Sequence, residues 1–218
     1  MTNGLPCQGS LVIGYLALRK AIGILGMALP IAVSFGAWVY FGEKIQPTIS
    51  DYYYTGMRDV FVGTLWAIGF FLVSYKGYNC GEDLAGDLAC VFAVGASLFP
   101  TAQQGETSKS AILIGHIHEV FAFLFFLTLI IFSLVFFTRT DNNQEPTGRK
   151  LHRNRVYKVC GYVMSICLAL SVVCMVIPDV ATFVPKGLNP VFWLETITIE
   201  AFGISWLTKG QAILKDEA

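Results

Sequence analysis

A chain of 218 residues that is 55% apolar and 14% charged, with 17 Phe and a mean hydropathy of +0.60, does not read as a water-soluble domain. Its 15 basic residues balance its 15 acidic ones, and a pI near 6.8 gives no global attraction for nucleic acid. One bilayer crossing takes about 20 mostly apolar residues, so the length predicts an all-α bundle of six transmembrane helices, with residues 1–218 as a single membrane domain.

In chain order, residues 1–10 lack the charged start, apolar core and small-residue cleavage site of a secretory signal, so the first hydrophobic segment is expected to be retained. The hydrophobic runs at 21–41, 60–75, 84–99, 112–137, 156–177 and 191–207 are the six predicted spans. The second, third and sixth are short, which places their polar flanks at the interface, and the fourth is long enough to tilt. In span one, Gly23, Gly26 and Pro30 predict close packing and a bend.

The loop after span one, residues 46–59, carries Asp51, three consecutive tyrosines (Tyr52, Tyr53 and Tyr54), Arg58 and Asp59. The tyrosines, with Trp38, Tyr40 and Trp193, suit an interfacial aromatic belt, or the wall of a headgroup site in which Arg58 clamps phosphate or carboxylate. Span three ends at residues 99–104 in Phe-Pro-Thr-Ala-Gln-Gln, and span four opens at 115–119 with Gly-His-Ile-His-Glu.

His116 and Glu119 share a helix face at i, i+3, whereas His118 is rotated about 200° from His116. That spacing argues against a ready-made metal site, so no cofactor is predicted; zinc is the alternative, with His116 and Glu119 as its weak ligands and Asp51, Asp59, Glu195 or Glu200 to complete the set. A histidine hydrogen-bonded at the helix start is the simpler account.

The stretch at 140–148, TDNNQEPTG, predicts a flexible loop, and the basic run at 149–158 directly before span five predicts an anchor against anionic headgroups. Within span five Cys160, Cys167 and Cys174 recur every seven residues beside Gly161, a pattern of helix packing. None of the six cysteines falls in a predicted outer loop, so no disulfide framework is expected.

Span six begins at 190–195 with Pro-Val-Phe-Trp-Leu-Glu. Glu200 lies about 15 Å below Pro190 at 1.5 Å per residue, near the midplane, where an ionisable group is costly; it is expected to face the bundle, neutral or paired. Glu195 could pair with Arg58.

Arg19, Lys20, Lys76, Arg139, Arg149, Lys150, Arg153, Arg155, Lys158, Lys209 and Lys215 share one side of this layout, against Lys44, Arg58, Lys109 and Lys186 on the other. The bias predicts both termini in the cytosol. Phe-rich spans and short loops fit a bacterial inner membrane.

The Ile49-Ser-Asp51 motif, the Arg58-Asp-Val-Phe-Val-Gly63 start of span two, a histidine at the outer start of span four and the N-in/C-in layout together resemble the DUF998-type bacterial membrane proteins. Those are similar in turn to the Frag1/DRAM/Sfk1 group. The resemblance implies a compact six-helix protein linked to membrane-lipid handling or stress, and it puts weight on Ser50, Asp51 and His116 or His118 without assigning a reaction.

The functional expectation is a polar cavity open to the outer leaflet that binds a lipid headgroup or small amphiphile. Its expected contacts are Asp51, Tyr53, Arg58, Asp59, His116, His118, Glu119, Trp193, Glu195 and Glu200. A membrane hydrolase or transferase, with Asp51 or Glu195 as general base, is the second class. The third is an ion- or proton-coupled channel or transporter relaying through Glu195 and Glu200, for which assembly as a homo-oligomer would speak.

Overall fold

The computed structural model describes residues 8–75, 77, 80–103, 105–139, 148–177, 185 and 187–214. The 140–147 part of the predicted loop, and Lys76, Gln104, Lys186, Lys215 and Cys7, lie outside the described residues. All regular structure among the described residues is helical: α1 (Gln8–Phe41), a 3-10 turn (Ser50–Tyr54), α2 (Arg58–Ser74), α3 (Cys80–Leu98), α4 (Lys109–Ile131) with a π-helical turn (Phe132–Phe136), α5 (Gly148–Val176) and α6 (Pro190–Lys209).

Each hydrophobic run of the sequence falls in one helix. Three stretches are long and apolar enough to cross a membrane: Gly14–Phe41, Lys109–Phe136 and Gly148–Val176. The helices α2, α3 and α6 have 17, 19 and 20 residues. At 1.5 Å per residue they run roughly 26 to 30 Å, close to the thickness of a hydrocarbon core. Helices α1 and α5 begin well before the runs that mark them: α1 already takes in the apolar stretch 11–18, which Arg19 and Lys20 set apart from the run, and the first turns of α5 are basic residues, good helix formers that hydropathy does not see.

The helices form a ring in chain order, α1 through α6, closed by α6 against both α1 and α5. Glycines set the closest approaches. A Cβ on Gly23 would sit 2.8 Å from Leu207 Cγ and 2.9 Å from the Gly203 carbonyl oxygen, and one on Gly203 would meet Met27 and the Gly23 carbonyl. A Cβ on Gly86 of α3 would lie 2.6 Å from the Leu72 carbonyl oxygen of α2. Gly161 packs on Leu134, and Cys160 and Cys167 are buried free thiols, as the stripe on span five predicts. Helix α1 continues through Pro30, whose carbonyl accepts the Ser34 hydroxyl.

At the end where the basic residues gather, the core is aromatic. The Trp206 ring, fully buried, meets Tyr75 at 5.2 Å and Phe137 at 5.1 Å, both edge-on, and Tyr75 stacks on Tyr15 at 5.8 Å. The π turn belongs to this core: the Phe137 N–H reaches back to the Phe132 carbonyl, and the widened turn holds Ser133 Oγ 2.7 Å from Ser205 Oγ of α6.

The seam between α4 and α5 is the loosest of the ring, and the π turn fills only its lower part. At the opposite end the α1–α2 connection folds inward as a cap, with Ile49 and Tyr52 buried. It is tied to the start of α6, where Phe192 N–H donates to the Pro47 carbonyl and the Asn189 amide to the carbonyls of Ile45 and Gln46. Asn189 takes the left-handed conformation (φ 46) just before Pro190, which begins the helix without needing an N–H partner.

Candidate functional site

Under that cap lie two adjoining cavities that share Ser50, His118, Ala122, Phe126 and Glu195. The inner one, about 40 Å³, is walled by Phe61, Leu65, Phe125 and Leu129. The lateral one, about 310 Å³, runs along the loose seam between Phe123 of α4 and Val172 and Met175 of α5. Its volume is at the lower end of pockets that take small molecules. Polar groups collect at the capped end, where Thr48, Ser50, Thr101, His118, Glu119 and Glu195 contribute to the wall.

Glu195 sits one turn into α6, which turns it toward the cap. Its Oε2 accepts the Ile49 backbone N–H at 2.6 Å, an N–H at the start of the 3-10 turn that has no helical partner of its own. Among the described residues its Oε1 carries no hydrogen bond. Asp51 closes the same turn reciprocally: its Oδ2 accepts the Thr48 N–H at 3.1 Å while its own N–H donates to Thr48 Oγ1 at 3.0 Å. Burial pushes the Asp51 carboxyl above its ordinary range; the Thr48 contacts and the nearby His118 imidazole oppose this in part.

His118 is 4% exposed. Its Nδ1 lies 2.7 Å from the Ala96 carbonyl oxygen and 2.8 Å from that of Phe99. Both are pure acceptors, so Nδ1 must carry the proton, and in the neutral ring Nε2 is left as a lone pair. The two carbonyls are those freed at the C-terminus of α3, which explains why a histidine fits there.

The expected contacts therefore divide. His118, Glu119 and Glu195 line the lateral cavity, with Asp51 within electrostatic reach of His118 and Glu195. Tyr53, Arg58 and Asp59 line a separate, shallow groove with Trp66 and Ser97. There the Arg58 guanidinium lies 4.2 Å over the Tyr53 ring and donates to its hydroxyl at 2.6 Å. The expected Arg58–Glu195 tie is not formed, because each has a nearer partner: Tyr53 for Arg58 and the Ile49 N–H for Glu195.

His116 and Glu119 pair at 3.0 Å on the exposed side of α4, as their i, i+3 spacing predicts. No third metal-ligating side chain joins them among the described residues. Trp193 is exposed and packs edge-on against Phe192. Glu200 does not point into the bundle as expected: half-buried, it shares helical register with exposed Trp193, Ile197 and Ile204 and lines neither cavity. The buried face of α6 is instead taken by Phe192, Ile199, Phe202 and Trp206.

Sequence reasoning missed Ser171. It lines the lateral cavity, is 6% exposed, and its hydroxyl has no hydrogen-bond partner, although serines in helices commonly bond the carbonyl four residues back. Its place one turn after Cys167, on the cysteine stripe, was the available signal. No family model, curated protein or solved structure matches the chain.

Proposed function

We propose that this is a polytopic membrane protein of six spans with both termini in the cytosol. In this reading it admits a single-chain amphiphile or lipid chain between α4 and α5 and holds the polar head beneath the α1–α2 cap. The observation that carries the reading is the polarity gradient of one cavity. Its capped end presents His118, Glu195 and several hydroxyls, and the rest is Phe123, Phe126, Leu168, Val172 and Met175 along a loose helix seam. Polar groups placed beside hydrocarbon are costly alone and are satisfied together by a hydrated head. Sites of this kind, mostly apolar with a few convergent polar groups, are where small molecules bind. The likeness of residues 49–51 and 58–63 to the DUF998-type proteins agrees with a lipid-linked role.

Ala122 borders both cavities, so Ala122→Phe should fill the space from within the wall. Native mass spectrometry of the protein released from lipid nanodiscs should show a bound amphiphile on the wild type and, by the ordinary cost of filling a pocket, roughly tenfold less on this variant, with an unchanged size-exclusion profile. Equal occupancy of the two proteins would overturn the reading.

A further inference from the structure

We infer that the head group held under the cap is an amine carried as an ammonium ion, not a phosphate. This rests on the amphiphile reading above and sharpens it.

The first ground is charge. Among the described residues lining the lateral cavity there are two carboxylates, Glu195 and, at the exposed edge and paired with His116, Glu119, and no lysine or arginine. Asp51 adds a third carboxylate within electrostatic reach of Glu195. Arg58, the described cation closest in sequence to the cap's tyrosines, faces the other groove and is engaged by Tyr53. An anionic head would enter a region of low dielectric beside like charges, whereas an ammonium would be drawn into it.

The second ground is hydrogen-bonding direction. His118 donates through Nδ1 to two carbonyls and so offers Nε2 as an acceptor in its neutral form. Glu195 offers Oε1 as a second acceptor. The buried Ser171 hydroxyl, in the wall of the same cavity without a partner, accepts as readily as it donates. Depth agrees as well: Cys167 contacts Thr198, so on antiparallel neighbours Ser171 and Glu195 each lie about 4.5 to 6 Å nearer the cap than that pair, at about one level. An ammonium has three donors and no acceptor, which matches three acceptors in the wall of one cavity. A phosphate has acceptors in excess and would find hydroxyl donors in this wall, Ser50, Thr101 and Ser171 among them, but no lysine or arginine to balance its charge.

The test uses a matched set of twelve-carbon probes, dodecylamine, dodecanol and dodecyl phosphate, titrated onto the full chain in phosphatidylcholine nanodiscs at neutral pH and read by native mass spectrometry. Dodecylamine should bind roughly tenfold tighter than dodecyl phosphate, with dodecanol between them. Glu195→Gln should shrink that ratio to about threefold or less, and Ser171→Ala should weaken the amine while sparing the phosphate. Should Glu195→Gln not fold, the wild-type ratio and Ser171→Ala decide alone. Phosphate binding equal to or tighter than the amine would overturn the head-group assignment and leave the amphiphile reading standing. Probes that bind equally to wild type and Ala122→Phe would overturn both.

Discussion

His118 and His116 show what a sequence discloses at the scale of a residue. Helical spacing separates the two rings and pairs His116 with Glu119, and the structure keeps both features. What spacing cannot disclose is that Ala96 and Phe99, on the neighbouring helix end, supply the carbonyls that fix the tautomer of His118. The same holds for Glu195, whose partner is a backbone N–H on a loop distant in sequence. Candidate residues were legible as residue types at the ends of apolar runs; their partners were not, because tertiary contacts made by backbone leave no mark on side-chain identity. Asp51 gives a test at this scale. With its folded-state pKa raised, the folded protein binds the proton more tightly than the unfolded chain, so this contribution is present below the ordinary carboxylate range and lost as pH rises through the raised value. Thermal unfolding followed from acid to neutral pH should therefore show a steeper decline in stability for the wild type than for Asp51→Asn, since Asn keeps the acceptor for the Thr48 N–H and cannot ionise.

At the scale of the helix, hydropathy located every helix and misplaced the starts of two. It also gave no sign that α4 ends in a π turn, since that widening answers to Ser205 on another helix. Glycines were more informative: Gly23, Gly26 and Gly161, singled out for their place in apolar runs, all lie at tight helix contacts. Gly203, which no pattern marked, lies at the tightest part of the α1–α6 approach. Gly203→Val should therefore drive α1 and α6 apart at a cost of about 1–3 kcal/mol. Gly63 stands in the opposite situation, since a Cβ there would find no neighbour within 4 Å. It should accept Ala with no loss and gain up to about 1 kcal/mol of helix propensity. Melting temperatures of the two variants in the same detergent, read by fluorescence-detected size exclusion, would check both values; a destabilised Gly63→Ala would contradict the open surroundings of that position.

For the whole molecule, the sequence carried the class, an all-helical chain with membrane-length apolar helices, because composition and run length are sums over many residues and tolerate local error. Sidedness rests on a different sum, that of Lys and Arg between the two ends. Lys44 and Ala212 are exposed residues at opposite ends of the bundle. In a background without native cysteines, Lys44→Cys in intact cells should react with an impermeant maleimide and Ala212→Cys should not until the cells are opened. Labelling in the reverse order would invert the proposed topology.

The cap and the cavity beneath it share a side chain, since the Glu195 carboxylate that faces the cavity also holds the Ile49 amide. On the proposed reading, occupancy and cap position are thereby thermodynamically linked. Whatever a bound head group adds to or takes from the Glu195–Ile49 bond, the cap returns by the same factor to the affinity for that head group. One carboxylate would thus carry the coupling through which the α1–α2 connection registers an amphiphile held between α4 and α5.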